Sequence, residues 1–178
     1  MGLFAPLCGP TLNPQLQNPQ LIVSHFTTIK TQIKDVEALR SAINELGLQL
    51  IPNSTARGFY QQTLKGDYVI RLKGPYDVAL NQQPDGTYGL TTDWWDGHVE
   101  KELGSNFGRL LQLYGVHKAS MEARKKGYSV LRNPQPNGSI KLILATLVND
   151  NYSFRIATIR NCRGSGINLG LTWPLARE

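Results

Sequence analysis

Residues 24–47, SHFTTIKTQIKDVEALRSAINELG, restrict the fold more than any other stretch of the chain. The first half alternates as a half-buried strand does, with Ile29, Thr31 and Ile33 on one face and Thr28, Lys30 and Gln32 on the other. Asp35 then supplies an N-cap, and Val36, Leu39, Ile43 and Leu46 recur behind it at helical spacing. Glu37 falls in the first turn, where the helix dipole favours a negative charge, and Gly47 is placed to end the helix in the left-handed conformation. A strand, a tight turn and a helix therefore open the patterned part of the chain.

Beyond Gly47 the pattern turns to strands. Residues 48–51 re-enter a sheet, and Pro52 with Asn53 is expected to break that strand; residues 57–61 form a short second candidate. Residues 67–73 alternate clearly before the turn at Gly74-Pro75, and residues 76–82 and 87–92 flank Gln83-Pro84-Asp85-Gly86, which is hairpin chemistry. From Val99, the positions Leu103, Phe107, Leu110, Tyr114, His117 or Val116, and Met121 mark one buried helical stripe. Gly104, Gly108 and Gly115 each weaken a helix by about 1 kcal/mol relative to alanine, so a break near one of them is expected. Arg124, Lys125 and Lys126 load the last turn before Gly127 stops it.

Residues 128–132 and 139–145 then form a closing hairpin around the turn at residues 133–138. Its second strand is apolar enough to be central in a sheet. Residues 152–160 add a strand, and residues 161–170, rich in glycine, asparagine and serine, read as loop. Strand groups separated by helices, without strict alternation, define an α+β fold. Helices cover one face of a mainly antiparallel sheet, and a ferredoxin-like arrangement is the first topological expectation.

The length of 178 residues suits one domain, and no run approaches the roughly 20 apolar residues that a membrane-spanning helix needs. Residues 1–22 carry no charge and hold prolines at 6, 10, 14 and 19, which disfavours a regular helix or central strand, and they lack the basic start and continuous apolar run of a secretory signal. The expected organisation is a flexible extension over 1–23, a single domain over 24–145 and a C-terminal extension over 146–178. Nineteen basic against thirteen acidic residues give a net charge of +6, which could favour nucleic acid, an anionic membrane or an acidic partner but is also what many proteins carry merely to stay dispersed. No Lys/Arg block interleaved with aromatics accompanies that charge, which argues against a nucleic-acid footprint. Cys8 and Cys162 form no metal or redox motif. A disulfide between them stays open, and a reduced intracellular protein is the simpler account.

The string of residues 24–47, together with Arg57-Gly58, Tyr76-Asp77-Val78, Asp85-Gly86-Thr87-Tyr88, the Asp93-Trp94-Trp95 cluster and Asn137-Gly138-Ser139-Ile140, resembles the hypothetical chloroplast reading frame family number thirty-five. The likeness covers residues 24–145 and is most specific at the opening Ser24-His25-Phe26-Thr27-Thr28-Ile29-Lys30-Thr31. It implies a cyanobacterial cytoplasm or a plastid stroma and brings no defined activity, the family being a domain of unknown function. Members of that family begin with methionine directly before the matching serine. Val23, read as an initiator, would then be the start, with the first 22 residues an over-long reading of the gene. Phe59 stands where tyrosine is common, Ala79-Leu80 replaces a usual Gly-Phe, and residues 146–178 extend past the family's usual end.

The candidate functional residues follow from their chemistry. His25, His98 and His117 match no metal-ligand spacing, so no metal and no cofactor is assigned. His25 beside Lys30 sits at a strand edge that could face a partner. Asp93, Asp96 and Glu100 stand near His98 as an acid/base possibility, although such acids more often cap the following helix and Asp96 is well placed to do so. Trp94 and Trp95 are neighbours that should diverge, one closing the core and the other partly exposed. The leading expectation is a non-catalytic protein-binding or assembly factor using a sheet edge or the surface around Arg57, Tyr76, Asp77, Asp93 and Trp95. A ligand-binding or enzymatic site at His25, Asp93 and His98 is the alternative, and weak nucleic-acid binding through the net charge is the third.

Overall fold

The computed structural model describes residues 26–148 and 151–159. Its elements run β1 (Phe26–Lys30), α1 (Val36–Glu45), β2 (Gln49–Arg57), β3 (Thr63–Arg71), β4 (Val78–Gln82), β5 (Tyr88–Asp93), α2 (His98–Leu103), α3 (Gly108–Lys125), β6 (Ser129–Pro134), β7 (Ile140–Val148) and β8 (Asn151–Ile159). The readings of residues 1–25 and 161–170, with Cys8, Cys162 and His25, fall outside the described residues.

Asp35 caps α1 by accepting from the amides of Glu37 and Ala38, at 3.0 and 3.1 Å, and Gly47 follows the helix at φ +70°. These local signals turn the chain from β1 into α1 and out again. The sheet that α1 crosses has five strands in the order β1-β5-β4-β3-β2, every neighbouring pair antiparallel. Four reversals from one edge to the other leave β1 and β2 running the same way, joined by α1 across a four-strand meander. The fold is α+β. It keeps the split β-α-β unit of a ferredoxin-like arrangement, but three strands stand between β1 and β2 and β1 is an edge.

Register sorts the side chains. Ile29, Leu90, Leu80 and Tyr68 face one side, as do Val78, Ile70 and Leu50. These meet Ala38, Leu39, Ala42 and Ile43 of α1 and Leu110, Leu113 and Tyr114 of α3 in the main core. Each fully buried aliphatic side chain there contributes about 1.5–3 kcal/mol. The second helical region breaks at Gly104, with φ +78°, and a short turn through Asn106 and Phe107 leads into α3. Phe107 is fully buried against Trp94, ring centroids 4.8 Å apart. The closing hairpin does not join the main sheet. It forms a three-stranded sheet, β6-β7-β8, with β7 central and Leu142 packed on Val116 of α3. Glu45 ties this sheet to both helices, accepting from His117 at 2.7 Å and from Arg132 at 2.9 and 3.2 Å.

The opposite face of the main sheet carries small residues, and β2 covers them. The expected break at Pro52 and Asn53 is a bend inside one strand: β2 continues through both, Asn53 taking φ +46°. On the partner strand, β3 leaves β4 at Asp67, whose amide donates to the Asn81 side chain at 3.3 Å and whose carboxylate accepts from the amide of Gln82 at 2.8 Å. The outer half of the β2–β3 hairpin thereby folds back as a flap. Ala56 closes on Val69 and Ala79, all three fully buried. Gly66 lies so close to the sheet that a Cβ there would stand 2.7 Å from the Tyr68 carbonyl and 3.2 Å from the Ala79 Cβ.

Candidate functional site

The flap face of the sheet carries charge at one end. Continuing the β3–β4 register by one residue and the β4–β5 register by two sets Arg71, Asp77 and Asp93 in a row, and Asp93 pairs with Phe26 of β1. Two buried carboxylates on neighbouring strands repel each other unless each finds donors. The flap supplies them.

Asp77 has no solvent exposure and accepts five hydrogen bonds: from the Arg57 amide, Nε and Nη2 at 3.0, 2.8 and 2.9 Å, from Arg71 Nη1 at 2.6 Å and from the Leu72 amide at 3.1 Å. Burial pushes its carboxyl upward, and Arg57 together with the Leu72 amide outweighs that effect, holding it below the usual carboxylate value. Arg57 is in turn held more firmly protonated by Asp77. Its Nη2 also reaches the carbonyls of Leu72 and Gly74, at 3.3 and 3.0 Å, pinning the β3–β4 loop. Glu102 of α2 holds the same loop, accepting from the amides of Lys73 and Gly74 at 3.1 and 2.9 Å.

Asp93 plays the corresponding part at the flap tip. Its carboxylate accepts from the amides of Phe59 and Trp95 at 3.1 and 3.0 Å, and the Phe26 ring packs directly under Gly58. With its neighbours fixed, the tip holds Tyr60 at φ 51°, ψ 48° and Gln61 at φ 61°, conformations that cost an L residue roughly 1–2 kcal/mol. The tyrosine is 88% exposed. Phe59 links it to Trp95, with ring centroids 6.1 and 5.2 Å apart, and Trp95 is itself 37% exposed. Trp94 turns inward to the core.

Arg57, Tyr76, Asp77, Asp93 and Trp95 thus meet at one end of the sheet. Lys30 lies at the other end of β1, paired with Gly89. Tyr76 is buried edge-on against His98, centroids 5.5 Å apart, and its hydroxyl is held in the protonated form by burial and by Asp93 and Asp96. Asp96 does not cap α2: Gly97 occupies that position without a side-chain bond, and the Asp96 carboxylate stands 3.2 Å from His98 Nε2. Asp77 therefore serves two arginines and main-chain amides, and Asp93 serves main-chain amides, which suits holding a shape. Among the described residues no three His, Cys, Asp or Glu side chains are arranged to hold a metal ion, and no helix is long and apolar enough to cross a membrane. Tyr60, Arg71 and Glu102 are site residues that the sequence did not single out. Only Tyr60 had a local signal, the aromatic pair after Arg57-Gly58.

The family profile described as "Protein of unknown function (DUF1257)" aligns with residues 42–143, more than half of the chain. The chain belongs to this family. A relative, the "Uncharacterized protein ycf35" of Pyropia yezoensis, is 29% identical over 124 residues, covering 68% of this chain and 96% of the relative. The protein of the same name from Guillardia theta is 28% identical over 126 residues with the same coverage. No solved structure gives a significant match. The DUF1257 match contains the whole latch, from Arg57 through Asp77 and Asp93 to Glu102.

Proposed function

We propose that this DUF1257 protein is a non-catalytic protein-binding factor whose contact surface is the aromatic tip of the flap, working in a cyanobacterial cytoplasm or a plastid stroma. The observation that carries the reading is Tyr60. A large aromatic side chain 88% exposed gains nothing from burial, and its left-handed backbone costs stability. The chain nevertheless holds it in place with two buried carboxylates, and presents it in line with Phe59 and Trp95. Rigid, half-stacked aromatics are the residues on which protein interfaces concentrate their binding energy. The compartment follows from the family likeness alone.

The test compares the tagged full chain with its Tyr60→Gly variant in capture from a photosynthetic lysate, read by mass spectrometry. Glycine relieves the left-handed strain of about 1 kcal/mol but gives back roughly 0.4–1 kcal/mol of unfolded-state entropy, so the variant's stability stays within about 0.5 kcal/mol of wild type. A partner retained by wild type and lost by the equally stable variant supports the reading. A captured set that the substitution leaves unchanged removes the aromatic tip as the contact surface.

A further inference from the structure

The two edges of the main sheet are treated differently. On one side, β2 is closed to further pairing: Pro52 has no amide proton, Asn53 bends the strand at φ +46°, and the outer half folds over the sheet. On the other side, β1 has none of these devices. Its five residues, Phe26-Thr27-Thr28-Ile29-Lys30, include no proline or glycine and three β-branched side chains. Among the described residues β1 pairs with β5 and with no other strand. An edge strand free of proline, bends and a folded-over arm is a template for an added strand, because its outward amides and carbonyls are already in register.

This edge is also continuous with the aromatic tip. Phe26, the first residue of β1, lies directly under Gly58, next to Phe59 and Tyr60. Lys30, exposed and paired with Gly89, closes the other end. Phe26, Thr28 and Lys30 share the flap face of the strand.

Resting on the partner-binding reading above, we infer that β1 is the docking edge for an extended, acidic segment of the partner protein, added antiparallel as a sixth strand. Cross-strand pairing sets its chemistry. A carboxylate stands opposite Lys30, a β-branched residue opposite Thr28, and an aromatic opposite Phe26, where it reaches the Tyr60 platform. Read from its N-terminus, the segment is acidic, any, β-branched, any, aromatic. A second copy of the chain fits less well. Antiparallel self-pairing centred on Thr28 sets Lys30 against Phe26 rather than a carboxylate, and it joins two chains that each carry +6.

The experiment is fluorescence anisotropy of the full chain with labelled synthetic nonapeptides built around Glu-Thr-Val-Thr-Tyr, a scrambled peptide, and the same sequence N-methylated at alternate residues. The patterned peptide binds, the scrambled one binds more weakly, and N-methylation on the pairing side weakens binding by about tenfold or more because the main chain carries strand addition. Lys30→Glu, a change at an exposed strand end, shifts preference by about two- to fivefold toward the peptide with lysine in the first position. Equal binding of patterned and scrambled peptides, or indifference to N-methylation, overturns the assignment. So does a dimer in sedimentation that the peptide cannot dissociate. If lysate capture is lost with Tyr60→Gly but unchanged by Lys30→Glu, the edge assignment fails while the aromatic tip stands; if Tyr60→Gly changes nothing, the reading beneath it fails first.

Discussion

Arg57 and Asp77 exchange main-chain and side-chain bonds at once: the Arg57 amide and guanidinium donate to the buried Asp77 carboxylate, and the Asp77 amide donates to the Arg57 carbonyl at 2.9 Å. A strand that would otherwise be a free hairpin arm is thereby fastened across the sheet face. The latch is asymmetric, because Asp77 is fully buried while the Arg57 side chain is 46% exposed.

That asymmetry orders two substitutions. Asp77→Ala leaves Arg57, Arg71 and the Leu72 amide without their acceptor and is expected to cost about 3–5 kcal/mol. Arg57→Ala leaves Asp77 with Arg71 and two amides, and solvent screening reduces the loss to about 1–2 kcal/mol. Urea denaturation of both variants checks the order. An Arg57→Ala loss equal to that of Asp77→Ala would show that the flap is not held through the carboxylate.

Acid should release the same latch. The folded-state pKa of Asp77 is depressed, so its contribution to stability is complete above the unfolded value of about 3.9 and is lost as pH falls through the lower folded value. Wild type therefore loses stability below about pH 4, and Asp77→Asn, already destabilised at neutral pH, loses less over that interval. Denaturant midpoints at neutral pH and at about pH 2.5 measure the difference. Parallel acid limbs in the two proteins would exclude Asp77 as a contributor.

Gly66 tests whether the flap is folded onto the sheet. A methyl group there meets a carbonyl at 2.7 Å and the Ala79 Cβ at 3.2 Å, both on rigid strands. Gly66→Ala is expected to cost about 1–3 kcal/mol through overpacking and to lift the flap. Hydrogen exchange locates the effect: amides of Ala56 and Leu64 should exchange faster while Leu80 and Leu90 keep their protection. Uniform acceleration across the sheet would place the strain elsewhere.

The elements set by near neighbours were legible in the sequence, because their causes are local. Asp35 caps α1 whatever lies around it, Gly47 and Gly127 stop helices by backbone freedom, and Asp85-Gly86 turns β4 into β5. The α+β class followed from those elements and their order, and the family likeness from the motif residues of 24–47, Arg57-Gly58, Tyr76-Asp77-Val78 and Asp93-Trp94-Trp95. What tertiary structure decided was where the strands go. Pro52 and Asn53 read as a break, since nothing local says that a bent strand will find Ala79 beneath it; only the close approach of Gly66 and the Asp77 carboxylate make the bend a flap. Tyr60 drew no notice in the sequence because its exposure depends on a tip anchored through the Phe59 amide to Asp93, 34 positions beyond Phe59. The charge row of Arg71, Asp77 and Asp93 exists only through register, a long-range property of three strands that no single strand encodes.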